Sequence, residues 1–93
     1  MRAPKILGRA AQHMEDRAAL RDADGERSMG KTVLAFNAIY DTTLSEEMGW
    51  QFMVLLKVVR GAQGQLCTDD YEDEAAYSAL AGEAAAKERG NTD

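Results

Sequence analysis

The fold is decided by residues 43–60, TLSEEMGWQFMVLLKVVR, the most apolar stretch of the chain. It opens with Thr43-Leu44-Ser45-Glu46, which has the capping-box form of a hydroxyl residue followed three positions later by glutamate. The helix predicted over Ser45–Arg60 has only a narrow polar edge, so we expect it to be the buried centre of the fold. Trp50 and Phe52 cannot face the same side of one helix, and we expect one of them to point at a partner.

Helical spacing predicts three more helices, at about Ala3 to Leu20, Glu26 to Tyr40 and Asp70 to Arg89. Asp24 is the expected N-cap of the second helix, and Asp69 that of the fourth with Glu72 as its reciprocal partner. The second helix has an apolar stripe of Met29, Val33, Phe36 and Tyr40, and the fourth has one of Tyr77, Leu80, Ala81 and Ala84.

Length and composition agree with these helices. The chain has 93 residues, one proline and 6% aromatic residues, which is typical of a helical protein and leaves room for one domain. We therefore expect an all-α fold, a compact bundle of about four helices in a single domain over residues 1–93, with an ordered core at about 3–89. A chain this short buries only about 60% of its surface, so oligomerisation, as a homodimer or a larger assembly, would complete the bundle.

Several classes of function are disfavoured. A single cysteine, Cys67, and a single histidine, His13, exclude a disulfide framework and a cysteine-based zinc site, and we expect His13 to be a surface residue. The N-terminus lacks the apolar core of a secretion signal and no apolar run could span a bilayer, which predicts a cytoplasmic protein that does not engage a membrane. The net charge is -5, so we expect no binding of duplex nucleic acid.

Acidic residues are concentrated at two predicted helix starts. Glu46 and Glu47 begin the third helix, and Asp69 and Asp73 lie at the start of the fourth, in one row with Tyr77. Carboxylates on two adjacent helices could hold Mg²⁺ and, through it, the phosphates of a nucleotide. The simpler interpretation is that these acids complement the helix dipoles, in which case no cofactor is required.

Basic residues supply the candidates for ligand binding. Lys57 and Arg60 lie near the end of the third helix, where Lys57 could pair with Asp73 or Asp69 or could bind phosphate. Arg27 and Lys31 are four apart and could present positive charge to a nucleotide or partner. They lie in Gly-x-x-x-x-Gly-Lys-Thr, residues 25–32, but no strand precedes it, so we reject a phosphate-binding P-loop.

Several segments resemble a family of small helical proteins from tailed bacteriophages and prophages, over about residues 5 to 89. The most specific part is Lys57-x-x-Arg60, an acidic loop, and then Asp73-x-x-x-Tyr77. Other segments with this resemblance are Gly25–Met29, Thr32–Val33, Ala35–Ile39, Gly49–Trp50 and Tyr71–Leu80. The resemblance implies a phage-encoded protein that acts in host takeover or in evasion of host defence.

The last helix is also similar to the closing helix of MazG-like, all-α nucleoside triphosphate pyrophosphohydrolases. That similarity implies a Mg²⁺ site in which Asp73 matches the family's aspartate and Glu46-Glu47 stands for its acidic pair. The MazG-like signature has Glu-Glu-x-x-Glu on one helix, whereas positions 46, 47 and 50 here are Glu, Glu and Trp. The third carboxylate is therefore missing.

Together these observations predict a non-enzymatic protein that binds a nucleotide-like small molecule or a host protein. The residues predicted to bind the ligand are Arg27, Lys31, Lys57, Arg60 and Tyr77. One alternative is a MazG-like pyrophosphohydrolase that holds Mg²⁺ with Glu46, Glu47, Asp69 and Asp73. The other is an acidic inhibitor that mimics nucleic acid through its fourth helix.

Overall fold

A computed structural model describes residues 1–21 and 28–90. The described chain folds into four helices and contains no strand: α1 (Ala3–Arg21), α2 (Ser28–Tyr40), α3 (Glu46–Gly61) and α4 (Thr68–Glu88). The predicted all-α class is confirmed, and the bounds of α1, α3 and α4 agree with prediction to within two residues. The predicted start of the second helix at Glu26, with its cap Asp24, lies outside the described residues. None of the four helices is long and apolar enough to cross a lipid bilayer.

The core lies between α3 and α4, and α1 packs on α4 while α2 packs on α3. Trp50 of α3 is buried against α4, with Met14, Met29, Met53 and Tyr77 packed around this cluster. The contacting residues of α4 are Leu80, Ala81 and Ala84. Three of the four residues in the predicted stripe of α4 are thus buried, and the two alanines among them let the helices approach closely.

The helix α3 is not the fully buried centre that its composition predicts. One side holds buried Trp50 and half-buried Met53 and Lys57, whereas most of its other large apolar side chains are exposed. The predicted stripe of α2 is also wrong in part, because Val33 is buried but Phe36 and Tyr40 are exposed and pack on each other with ring centroids 4.7 Å apart. The helix α4 covers one side of α3, and α2 covers part of another side. The remaining surface of α3 is exposed to solvent.

The predicted N-caps of α3 and α4 need correction. The N-cap of α3 is Ser45, whose hydroxyl oxygen accepts a hydrogen bond from the backbone N–H of Met48, so Thr43 is not the capping residue. The N-cap of α4 is Cys67, which makes no side-chain capping bond, and Asp69 already lies in the first turn. Because Asp69 is not the N-cap, Glu72 is not its reciprocal capping partner.

The turn between α2 and α3 is closed by Asn37. Its side-chain oxygen accepts hydrogen bonds from the backbone N–H of Leu44 and from the hydroxyl of Thr42, and its amide nitrogen donates to the carbonyl oxygen of Leu44. Asp41 adopts a left-handed conformation in this turn, with φ of 55°. This turn sets α2 against the start of α3.

Gly49 is the point of closest approach between α2 and α3. A Cβ atom there would lie 2.5 Å from Met29 Sδ and 2.8 Å from Val33 Cγ1. Met29 can move aside, but the branched side chain of Val33 is stiff, so Gly49→Ala forces the helices apart. We expect a loss of about 1 kcal/mol in the free energy of unfolding after the better helix propensity of alanine is counted.

The matched control for this prediction is Gly82→Ala in α4. A Cβ atom at Gly82 would have no neighbour within 4 Å, so only the propensity gain remains, and we expect stabilisation by about 0.5–1 kcal/mol. Urea denaturation followed by circular dichroism measures both variants. Equal stabilisation by the two substitutions would contradict the close contact at Gly49.

Candidate ligand site at the start of α4

Charged side chains from three helices meet at the start of α4. Because α3 and α4 are antiparallel, the first turns of α4 lie beside the last turns of α3, where Lys57 is located. On the α1 side, Arg9, His13 and Arg17 follow one another at intervals of four residues and so share one helical face. The acidic first turns of α4 are thus held between a row of basic residues on α1 and a lysine on α3.

Lys57 binds two carboxylates of α4. Its Nζ atom lies 2.9 Å from Asp73 Oδ2 and 4.0 Å from Asp70 Oδ1, and all three side chains are only 13% exposed. The predicted pairing of Lys57 with Asp73 is confirmed, and Asp70, not Asp69, is the second partner. An ion pair so far removed from water depends on both partners, since either charge alone would be costly to bury.

Arg17 joins the same group from α1. Its Nη2 atom lies 3.3 Å from Asp73 Oδ1, and its guanidinium carbon lies 6.0 Å from the centre of the Tyr77 ring. Tyr77 in turn stacks on Trp50, with ring centroids 5.7 Å apart and planes inclined by 22°. Asp73 and Tyr77 are therefore engaged by the chain itself.

Glu72 and His13 form a second contact between α1 and α4. His13 Nε2 lies 2.7 Å from Glu72 Oε1, and the Glu72 side chain is 1% exposed. His13 lies at the surface as predicted, with its ring 38% exposed, but it is also hydrogen-bonded to a buried carboxylate. Sequence reasoning missed this pair; the four-residue spacing of Arg9, His13 and Arg17 was the signal that could have revealed it.

The second oxygen of Glu72 is less well satisfied. Arg9 Nη1 lies 3.8 Å from Oε2, close enough for attraction between charges but too far for a hydrogen bond. Oε2 is buried and accepts no hydrogen bond from the described residues. Asp69, one turn earlier on α4, brings a carboxylate oxygen to the same place, and one donor atom each from His13, Asp69 and Glu72 lie within 4.8 Å of one another.

The four carboxylates predicted to hold Mg²⁺ do not meet. Glu47 lies at the start of α3, beside the end of α4, where its Oε1 accepts a hydrogen bond at 3.0 Å from Arg89 and its backbone N–H donates to Glu88. Asp69 and Asp73 lie at the other end of α4, more than three helical turns away. Since antiparallel packing separates the two helix starts, Glu46 and Glu47 cannot share an ion with Asp69 and Asp73.

The four described residues among those predicted to bind a ligand are also separated. Lys31 lines a cleft of about 470 Å³ between α2 and the start of α3, together with Lys87 from the end of α4. Lys57 and Tyr77 lie in the charged group described above, Arg60 is exposed, and Arg27 is outside the described residues. The residues lining the cleft are Gly30, Lys31, Val33, Leu34, Leu44, Ser45, Glu46 and Lys87.

Residues 5–85 match the model of a protein family described as a domain of unknown function, DUF6378. This match spans all four helices as far as the last turn of α4, including the charged group at its start. No curated protein and no solved structure is significantly similar to the chain. Since the match covers most of its length, the chain belongs to the DUF6378 family.

Proposed function

We propose that this chain is a non-enzymatic binding protein that contacts another protein through the outer surface of α3. We define the outer surface as Met48, Phe52, Leu55 and Val59, whose spacing of four, three and four residues aligns them on one side of the helix. Half or more of each of these side chains is exposed, and none carries a charge. This uncovered apolar row is the observation that carries the proposal.

The distribution of apolar side chains supports a protein partner. In the described part of the chain, the buried hydrophobic residues larger than alanine are Val33, Trp50 and Leu80, whereas sixteen large hydrophobic residues are exposed. Exposed apolar residues scattered singly are ordinary, but a continuous row marks an interaction site. The four-three-four spacing of the outer surface is that of helices that pack side by side, which suits a helical partner.

A second copy of the chain fits this requirement, because two copies related by a two-fold axis would pack their outer surfaces against each other. This would complete the bundle as a homodimer or a larger assembly. A phage protein of the host cytoplasm, as the resemblance of the sequence implies, could use the same surface to bind a host protein in takeover of the host or evasion of its defence. The chemistry required of either partner is an apolar helical face.

The alternatives have less support from the geometry. A MazG-like hydrolase needs free carboxylates for Mg²⁺, but Asp73 is paired with Lys57 and Arg17, and Glu46 and Glu47 lie at the far end of α4. Of the four predicted nucleotide contacts that the structure describes, only Lys31 lines the cleft. An acidic mimic of nucleic acid would have to present its carboxylates to a partner, but Asp70 and Asp73 are paired with Lys57, and Glu72 is buried beside Arg9.

Site-specific photo-crosslinking in bacterial cells tests the proposal. A benzoylphenylalanine residue replaces Phe52 in one variant and Leu7, an equally apolar and similarly exposed residue of α1, in the control. We expect irradiation to give a covalent adduct from position 52 and none from position 7. An adduct of twice the chain mass identifies a second copy, and any other adduct mass identifies a different protein, to be named by mass spectrometry.

A further substitution separates specific contact from random collision. Leu55→Glu places a charge in the middle of the outer surface, and we expect it to reduce the adduct from position 52 by about tenfold or more, because burying an unpaired carboxylate is costly. Leu7→Glu should leave the adduct unchanged. Absence of any adduct from position 52, or equal adducts from positions 52 and 7, would contradict the proposed function.

A further inference from the structure

We propose that His13, Asp69 and Glu72 form a binding site for a divalent transition-metal ion of the Zn²⁺ type. The ligands would be Nε2 of His13 and one carboxylate oxygen from each acid. These atoms already lie within 4.8 Å of one another. The site differs from the set predicted for Mg²⁺, with which it shares only Asp69, and it does not involve the outer surface of α3.

The buried carboxylate of Glu72 is the observation that points to a ligand. Its side chain is 1% exposed, and Oε2 accepts no hydrogen bond from the described residues. Buried carboxylate oxygens are nearly always satisfied, and one without a partner calls for an ion or a water molecule. A cation bound by this carboxylate would supply the missing interaction.

The donor set selects the class of metal. An imidazole nitrogen with two carboxylates suits Zn²⁺ and similar ions, whereas Mg²⁺ and Ca²⁺ prefer oxygen ligands throughout. Two carboxylates also neutralise a divalent charge. Three protein ligands leave at least one coordination position open, and this position would face solvent because Asp69 is exposed.

Metal binding would replace the 2.7 Å hydrogen bond between His13 Nε2 and Glu72 Oε1, because Nε2 must present its lone pair to the ion. Ligand atoms about 2.0–2.1 Å from a tetrahedral Zn²⁺ lie about 3.4 Å apart, which falls between the 2.7 Å that now separates His13 Nε2 from Glu72 Oε1 and the 4.8 Å within which all three donor atoms lie. Asp69 and Glu72 are three residues apart on one face of α4 and His13 approaches from α1, so the ion would join two helices. The exposed side chain of Asp69 is able to rotate inward.

Arg9 is the competitor of the metal. Its guanidinium group, 47% exposed, lies 3.8 Å from Glu72 Oε2 and supplies positive charge without a hydrogen bond. A metal ion on Glu72 would repel Arg9 into solvent. Arg9→Gln should therefore strengthen metal binding, an effect that a purely structural pair of Glu72 and His13 would not produce.

Isothermal titration calorimetry with ZnCl₂ tests the site in a Cys67→Ser background, which removes the exposed thiol as a possible ligand. We expect one saturable site per chain, weakened about tenfold or more by Asp69→Asn or His13→Gln and tightened by Arg9→Gln. Asp69 is exposed, so its substitution leaves the fold intact even if a change at Glu72 does not. Glu15→Gln, an exposed acid of α1, is the matched control and should change nothing.

Imidazole ¹⁵N chemical shifts give a second readout. His13 is the single histidine of the sequence, so its ring signals need no assignment by mutation. Zinc should shift Nε2 in proportion to the bound fraction. Absence of saturable binding, zinc affinity unchanged by Asp69→Asn and His13→Gln, or equal affinity for MgCl₂ would each overturn the proposal.

Discussion

Trp50→Ala is expected to unfold the protein or to lower its free energy of unfolding by about 3–5 kcal/mol. Trp50 is 4% exposed and packs against Leu80, Ala81 and Ala84 of α4, so its removal leaves a cavity between the two helices. The alanines are too small to fill this space. A loss of this size is a large part of the stability of about 5–15 kcal/mol typical of small domains. Urea denaturation followed by far-ultraviolet circular dichroism measures it.

Phe52→Ala is the matched control for this substitution. Phe52 is also a large aromatic residue of α3, two positions away, but it is 69% exposed. At low protein concentration we expect its replacement to change the free energy of unfolding by no more than about 0.5 kcal/mol. If the two variants were destabilised equally in dilute solution, the assignment of Trp50 to the core and Phe52 to the outer surface would be wrong.

Asp73→Asn is expected to have the second largest effect, a loss of about 2–3 kcal/mol. The substitution keeps the shape of the side chain but removes the negative charge that holds Lys57 at 2.9 Å and Arg17 at 3.3 Å. Breaking a buried ion pair costs about 3–5 kcal/mol, and we reduce this figure because Asp70 remains 4.0 Å from Lys57. Thermal or urea denaturation at neutral pH measures the loss.

Two controls isolate the charge of Asp73. Asp69→Asn removes an exposed carboxylate one turn earlier and should change stability by no more than about 0.5 kcal/mol in metal-free buffer. Lys57→Met should cost less than Asp73→Asn, because Asp73 keeps Arg17 while methionine packs well in an apolar helix. A neutral effect of Asp73→Asn would show that this charged group does not hold the helices together.

The sequence predicted the elements of the fold well because their signals are local. The Ala3 start of α1 and the bounds of α3 follow from apolar spacing, and the pairing of Lys57 with Asp73 follows from a lone lysine in an apolar run beside an acidic helix. Each of these signals lies within one helix or between two that are adjacent along the chain. Such short-range patterns can be read without knowing the packing.

The candidate site was predicted less well because it joins distant segments. His13 and Glu72 are separated by 59 positions, and the spacing of the basic residues on α1 does not say which helix that face contacts. The set of Glu46, Glu47, Asp69 and Asp73 failed for the opposite reason. All four acids lie near helix starts, and antiparallel packing, which short loops between helices favour, places the starts of α3 and α4 at opposite ends of α4.

By itself, then, the sequence determined that the chain is all-α, that it has these helices, and that its acidity is gathered at the start of α4. Helix formation depends on neighbours three or four residues apart, which the sequence displays directly. Only the tertiary structure decided that Trp50 faces inward while Phe52 faces outward, and that Glu72 is buried against His13. Both facts depend on which side of each helix meets another, and that choice is made by the packing of whole helices, which spacing within one helix does not determine.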